Sequence, residues 1–171
     1  MSKEKEMGNG DISPARRKGS LPPEVERILQ AIGFVDRFSR LPTNLAPQDR
    51  MEIKTCREPA RGALRELGIL AKYSPGVGFH LEEDCGAIRV AWGFYPRKNL
   101  LEFGMSVRRK GGALLLAAPW HAWADELLPH NGIPMPEVYS YRDLVETLRE
   151  AYALYQDIRD GIWEIWGEMP T

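Results

Sequence analysis

The sequence predicts an α+β fold in which helices flank a central antiparallel sheet. Apolar residues recur at helical spacing over residues 24–39 and 141–165, whereas they alternate with polar residues over residues 88–107, which is the period of a half-buried strand. A chain of 171 residues with 43% apolar and 27% charged residues has the size and composition of one globular domain. We therefore expect a disordered polar arm over residues 1–20 and a single α+β domain over residues 21–171.

Three helices are predicted in the N-terminal third of the chain. The first begins at prolines that suit a first helical turn and is expected over residues 21–39. A second helix is expected over residues 47–58, and Pro59 is expected to kink or end it. A third is expected over residues 60–67, with Gly68 as its C-cap.

The middle of the chain predicts a β-meander of three to five strands. Two apolar segments, residues 69–73 and 79–81, flank a glycine-containing turn and are expected to form a hairpin. Residues 88–94 and 101–107 alternate between apolar and polar or small side chains, which predicts two half-buried antiparallel strands. Residues 113–118 are apolar on both faces, and we expect them to form a central strand.

The clearest signal is a long amphipathic helix at the C-terminal end, preceded by a short helix over residues 120–128. Its apolar residues follow one another at alternating steps of three and four positions: Tyr141, Leu144, Leu148, Ala151, Tyr155, Ile158, Ile162 and Ile165. Ser140 is its predicted N-cap, with Asp143 three residues further on. At ~1.5 Å per residue the helix would be roughly 39 Å long, and we expect its apolar stripe to pack on the sheet.

Charge is distributed unevenly along the chain. Residues 1–119 carry 20 Lys and Arg against 14 Asp and Glu, a net of +6, and residues 120–171 carry 3 against 10, a net of −7. The acidic helix therefore predicts a non-enzymatic module that binds a basic protein, of the kind represented by immunity or inhibitor proteins. The predicted contact residues all lie on this helix: Glu146, Glu150, Tyr152, Asp157, Asp160, Trp163, Glu164 and Trp166. A second copy of the chain, bound through the same helix, is the other predicted partner.

The alternative function is nucleic-acid binding by the first half of the chain. Three predicted helices followed by a hairpin resemble the order of a winged helix, in which the third helix enters the major groove. The candidate contacts are Arg57, Arg61 and Arg65, spaced at i, i+4 and i+8, and Lys72 on the hairpin. Pro59 is expected to disturb this arginine face, because it lies between the first two of these arginines.

Catalytic and metal-binding sites are only weakly indicated. His80, Glu82 and Asp84 alternate along one predicted strand and are acceptable metal ligands, but the spacing of the common zinc motifs is absent. Asp84 and Glu102 resemble the acids of a metal-dependent nuclease, yet Gly104 stands where the required lysine would be. We therefore predict no catalytic residue, no metal and no cofactor.

The cysteine content and the apolar runs bear on the compartment. Cys56 and Cys85 are too few for a disulfide framework and indicate reduced thiols, and no histidine is placed by the pattern to activate either one. Residues 1–20 lack the apolar core of a secretory signal. The longest apolar run, residues 113–120, is shorter than the ~20 residues that a membrane-spanning helix needs. We expect a cytoplasmic protein that has no membrane partner.

Overall fold

A computed structural model describes residues 21–41, 57–130 and 132–168. The helices are α1 (Pro23–Ala31), α2 (Phe34–Ser39), α3 (Arg57–Glu66), α4 (Trp120–Leu127) and α5 (Tyr141–Trp166). The strands are β1 (Lys72–Ser74), β2 (Gly78–Cys85), β3 (Ile88–Arg97), β4 (Leu100–Arg109) and β5 (Leu114–Pro119). The predicted α+β class is confirmed, with N-terminal helices, an antiparallel meander and a long C-terminal helix that packs on it. The predicted arm over residues 1–20 lies outside the described residues.

The five strands form one antiparallel sheet in the order β1-β2-β3-β4-β5. The two strictly alternating segments become β3 and β4, which pair from Ile88 opposite Arg109 to Arg97 opposite Leu100. The inward face of the sheet carries a set of buried apolar side chains: Phe79, Ile88, Val90, Trp92, Phe94, Leu101, Phe103 and Val107. Alternation at a period of two therefore separates a core face from an outer face, as the sequence predicts.

β5 is an edge strand and not the central strand that its composition predicts. A meander leaves its last strand with one neighbour, and β5 pairs with β4 alone among the described strands. Leu114 is 51% exposed, and the strand ends at Pro119, which lacks an N–H and therefore suits an edge. A continuous apolar run in this chain consequently does not indicate burial on both faces.

The predicted continuous helix over residues 21–39 is wrong, because the chain breaks between α1 and α2. Gly33 adopts a left-handed conformation, with φ of 66°, which ends the first helix and turns the chain. The turn directs Phe34 and Phe38 inward, where their rings stack 5.7 Å apart and meet Trp120 edge-on. Helix-like periodicity continued through the break, so the pattern alone did not reveal it.

The predicted helix boundary at Pro59 is also wrong. Among the described residues, α3 continues through this proline without interruption. The remainder of the predicted second helix, residues 47–56, lies outside the described residues. Gly68, with φ of 70°, follows the end of α3 as predicted, and residues 69–71 lie before β1 rather than within it.

α5 begins and ends close to its predicted limits. The predicted N-cap is confirmed, since the Ser140 hydroxyl accepts a hydrogen bond of 3.1 Å from the backbone N–H of Asp143. The buried side of the helix comprises mainly apolar residues: Leu144, Val145, Leu148, Ala151, Leu154, Tyr155, Ile158, Ile162 and Trp166. Ile165, predicted as the last residue of the buried stripe, is instead 36% exposed, and Trp166 takes its place.

Hydrogen bonds tie both ends of α5 to other elements. At its start the Tyr141 hydroxyl donates to the Glu66 carboxylate of α3 at 2.7 Å. Just beyond its end the carbonyl of Gly167 accepts from the backbone N–H of Ala87 in the β2–β3 turn at 2.8 Å. These bonds fix the direction of α5 relative to α3 and the sheet. Within the described part of the chain, we find no helix with the length and apolar character needed to cross a membrane.

Candidate protein-binding surfaces

The exposed side of α5 carries a set of carboxylates that we call the acidic stripe. At 3.6 residues per turn, its members fall within about 80° of the helix circumference. They are exposed in the structure: Glu146, Glu150, Asp157, Asp160 and Glu164. From the first to the last of them the stripe extends about 27 Å along the helix axis. The predicted acidic residues are thus brought together on one face.

Some of these carboxylates are partly neutralised by neighbouring arginines. Three ion pairs involve the stripe, with nitrogen–oxygen distances of 3.2, 2.6 and 3.0 Å: Glu146 with Arg142, Asp157 with Arg37, and Asp160 with Arg159. Glu150 and Glu164 form no ion pair within 4.0 Å among the described residues. These two carboxylates therefore present the least compensated charge of the stripe.

The three aromatic residues predicted for the contact surface have different environments. Trp163 is 47% exposed and lies beside the acidic stripe, roughly 60° around the helix from its nearest edge at 3.6 residues per turn. Tyr152 is half-buried, with its ring centroid 5.7 Å from that of Trp92 in the core. Trp166 is only 9% exposed, because it lies one turn after Ile162 on the buried side of the helix. Trp166 is thus a core residue and not the exposed anchor that was predicted.

A polar network joins the buried side of α5 to β2. Glu83 points toward the helix, where its carboxylate accepts hydrogen bonds from the Tyr155 hydroxyl at 2.6 Å and from Arg159 Nη1 at 2.8 Å. Helical and strand periodicity did not reveal this network. The available signal was a carboxylate between Leu81 and Cys85 at an inward position of the strand, because an inward charge needs a partner.

The network sets the ionisation of the groups within it. Burial raises the pKa of Glu83, but the hydrogen bonds from Tyr155 and Arg159 outweigh it and hold the pKa below the ordinary 4.5. Burial, followed by the hydrogen bond to Glu83, raises the pKa of Tyr155. Burial and then the charge of Glu83 raise the pKa of Cys85, whose side chain is 2% exposed. Cys85 is therefore a protonated core thiol and a poor nucleophile. Cys56 lies outside the described residues.

A second charged surface lies between α3 and β1, and we call it the basic groove. Its volume is about 410 Å³, and the described residues that line it include the cations Arg61, Arg65 and Lys72 and no carboxylate. Arg57 lies at its side, with its guanidinium carbon 3.9 Å from the centroid of the Tyr73 ring. All four basic residues predicted for nucleic-acid contact are therefore placed around one depression. Because α3 is unbroken, Pro59 does not separate the arginines.

The hairpin next to the basic groove differs from a free-standing wing. β1 has three residues, whereas β2 has eight and continues as the second strand of the five-stranded sheet. α3 packs against α5 through Ala60, Ala63 and Leu64. The groove is thus an integral edge of the α+β domain.

The candidate metal ligands are separated or already paired. His80, Glu82 and Asp84 share the outer face of β2, but Asp84 forms ion pairs with Arg89 at 2.8 Å and Lys110 at 3.8 Å. The hydrogen bond from Arg89 holds the pKa of Asp84 below its usual range. Across the three described ranges, no group of three or more His, Cys, Asp and Glu side chains is placed to hold a metal ion.

The strand register also separates the two acids of the predicted nuclease pair. Asp84 lies opposite Arg89, whereas Glu102 lies opposite Tyr95, six residues further along β3. At ~3.4 Å per residue this corresponds to about 20 Å, which is too far for both carboxylates to bind one metal ion.

Comparison with known proteins adds no functional assignment. No protein-family model, no curated protein and no solved structure matches this chain.

Proposed function

We propose that this chain is a non-enzymatic protein-binding module whose acidic stripe contacts a basic surface on another protein. The observation that carries this proposal is the concentration of five carboxylates on the exposed side of a helix whose opposite side is buried in the core. Carboxylates on a fixed helix have a preset spacing, which favours complementarity with a basic partner and accelerates encounter.

Two exposed apolar side chains support a contact at the C-terminal half of the stripe. Trp163 and Ile165 lie roughly 100° to either side of the stripe's centre, given 3.6 residues per turn. Both are exposed, at 47% and 36%. Tryptophan is enriched among the residues that dominate interface energies, so Trp163 is the expected apolar anchor and the carboxylates provide orientation and specificity.

We further propose a role and a compartment for this module. An acidic surface of this kind suits an inhibitor or an immunity-type protein that covers a basic functional site, in the cytoplasm. A symmetric dimer, in which the acidic stripe contacts the same stripe of a second copy of the chain, is disfavoured. A two-fold axis through the acidic stripe would bring like charges together, and like charges repel.

The test is affinity capture from lysate of the native cell, using the double variant Glu150→Lys/Glu164→Lys. These residues lack ion pairs among the described residues, so reversing them leaves the fold intact. We expect the wild type to retain a basic protein that the double variant loses, with identification by mass spectrometry. Nuclease treatment of a parallel sample should not release that protein.

A matched control applies the same change in net charge away from α5. Glu82 on β2 and Asp125 on α4 are exposed, and Glu82→Lys/Asp125→Lys should retain the same protein as the wild type. If the stripe variant retains the same proteins as the wild type and the control, the proposal is wrong.

The alternative, a nucleic-acid-binding module at α3 and β1, is supported by the grouping of Arg57, Arg61, Arg65 and Lys72. It predicts duplex binding that weakens steeply with added salt, because cations that contact phosphates release counterions. Salt-insensitive or absent binding at low ionic strength would remove it.

A further inference from the structure

The basic groove combines cations with an apolar floor. Leu64, Ile69 and Phe79 are buried beneath it, and Arg61 and Arg65 line it from α3. A ligand that complements this groove would carry negative charge at the rim and an apolar group at the floor.

An unusually exposed apolar residue extends this surface. Leu70 is 91% exposed, the highest exposure of any large hydrophobic residue in the described part of the chain, and it also lines the groove. Leu70 therefore adds an exposed apolar side chain to the rim of a depression whose floor is apolar.

The cations of the groove are weakly paired among the described residues. Arg65 and Lys72 form no ion pair within 4.0 Å among the described residues. Arg61 has a long contact of 3.8 Å with Glu58, and both side chains are largely exposed. Such an exposed pair contributes little, so an incoming carboxylate displaces it at small cost.

We propose that the basic groove binds an acidic peptide segment of another protein, in which an apolar side chain lies between carboxylates. The carboxylates would meet Arg61, Arg65 and Lys72, and the apolar side chain would contact Leu70 and the groove floor. β1 is an edge strand that pairs only with β2 among the described strands, so an extended peptide can follow its open edge. Duplex nucleic acid fits less well, because its phosphate backbone offers nothing apolar to Leu70 or the floor.

The test is selection from a displayed random-peptide library on the full chain, followed by fluorescence anisotropy of the selected peptides. We expect enrichment of peptides with two or more Asp or Glu residues around Leu, Ile or Phe. Arg61→Glu/Arg65→Glu should weaken their binding by at least about tenfold, as expected for loss of charge-paired contacts. Leu70→Asp, at a loop position outside α3, should weaken binding independently of any effect on that helix.

The matched control is Arg27→Glu/Arg108→Glu, which makes the same charge change at exposed positions on α1 and β4 and should bind the peptides as the wild type does. The proposal is overturned if acidic apolar peptides are not enriched. It is also overturned if both groove variants bind the selected peptides as tightly as the wild type does. Tighter binding of a DNA duplex than of any selected peptide, lost in the groove variants, assigns the groove to nucleic acid instead. Self-association lost in those variants, measured by sedimentation, assigns it to a second copy.

The failure of this inference is distinguishable from failure of the acidic-stripe proposal. The groove variants leave Glu150 and Glu164 unchanged, so they should retain the protein that the stripe captures. The stripe variant should in turn bind the selected peptides with unchanged affinity.

Discussion

The acidic stripe and the basic groove are built on different foundations. Beneath the stripe, α5 buries a continuous series of large side chains and is joined to β2 through Glu83. Beneath the groove, α3 buries two alanines and a single leucine, Leu64. The same chain therefore presents one charged surface on a deeply anchored helix and another on a shallow edge. The difference suggests a preset surface for the first and an adaptable depression for the second.

The largest expected effect on stability comes from removing a large side chain beneath the stripe. Ile158→Ala, at a fully buried position of α5, should lower the free energy of unfolding by about 2–5 kcal/mol, because the removed atoms leave a cavity. Urea denaturation measures this change. Ile165→Ala on the exposed side of the same helix is the control and should cost less than about 1 kcal/mol. Equal losses in the two variants would show that α5 is not anchored by its buried side.

A second prediction concerns the link between α5 and β2. Glu83→Gln should lower the free energy of unfolding at neutral pH by about 1–2 kcal/mol, because two hydrogen bonds lose a charged acceptor that is partly exposed. Since folding lowers the pKa of Glu83 below 4.5, the carboxylate's contribution is present above 4.5 and is lost as pH falls through the folded-state pKa. Urea midpoints measured across this pH range should therefore converge for wild type and variant in acid.

The control for this prediction is the neighbouring residue on the other face of β2. Glu82→Gln should change the free energy of unfolding by less than about 0.5 kcal/mol, because Glu82 is exposed. A gap between wild type and Glu83→Gln that stays constant into acid would contradict the assigned role of the carboxylate.

The smallest expected effect on the free energy of unfolding is at the contact between α5 and α1. A Cβ added at Gly161 would lie 2.7 Å from Cγ2 of Ile28. Gly161→Ala should raise the free energy of unfolding by about 1 kcal/mol, through helix propensity, when Ile28 is also replaced by Ala. With Ile28 present, the same substitution should leave the free energy of unfolding nearly unchanged. A double-mutant cycle in urea measures this coupling. If Gly161→Ala changes the free energy of unfolding equally in both backgrounds, Ile28 does not restrict the space for a Cβ at position 161.

The sequence predicted those parts of the fold that depend on local patterning. The limits of α5 follow from the Ser140 cap and an apolar repeat of several turns, and β3 and β4 follow from strict alternation. The break at Gly33 was missed, because a left-handed glycine interrupts a helix without interrupting its periodicity. The edge position of β5 depends on strand order, which composition does not specify.

The candidate surfaces were predictable to a smaller extent. The carboxylates of the acidic stripe could be grouped from helical spacing alone. The burial of Trp166 could also have been predicted, because Trp166 follows Ile158 and Ile162 at steps of four, but it was predicted as a contact residue. The pairing of Arg37 with Asp157 joins α2 to α5, and no local pattern reports a contact of that sequence separation.

α5 is held at its start by Tyr141, in its middle by Glu83 and just beyond its end by Gly167. We expect these three restraints to oppose fraying of the helix ends. In terms of hydrogen exchange, amide protons in its last turn should be protected nearly as well as those at its centre, because both become exposed only when the whole element opens. A partner meeting the acidic stripe therefore finds the backbone that carries the carboxylates already ordered, and the entropy lost on binding is mainly that of side chains on the two surfaces.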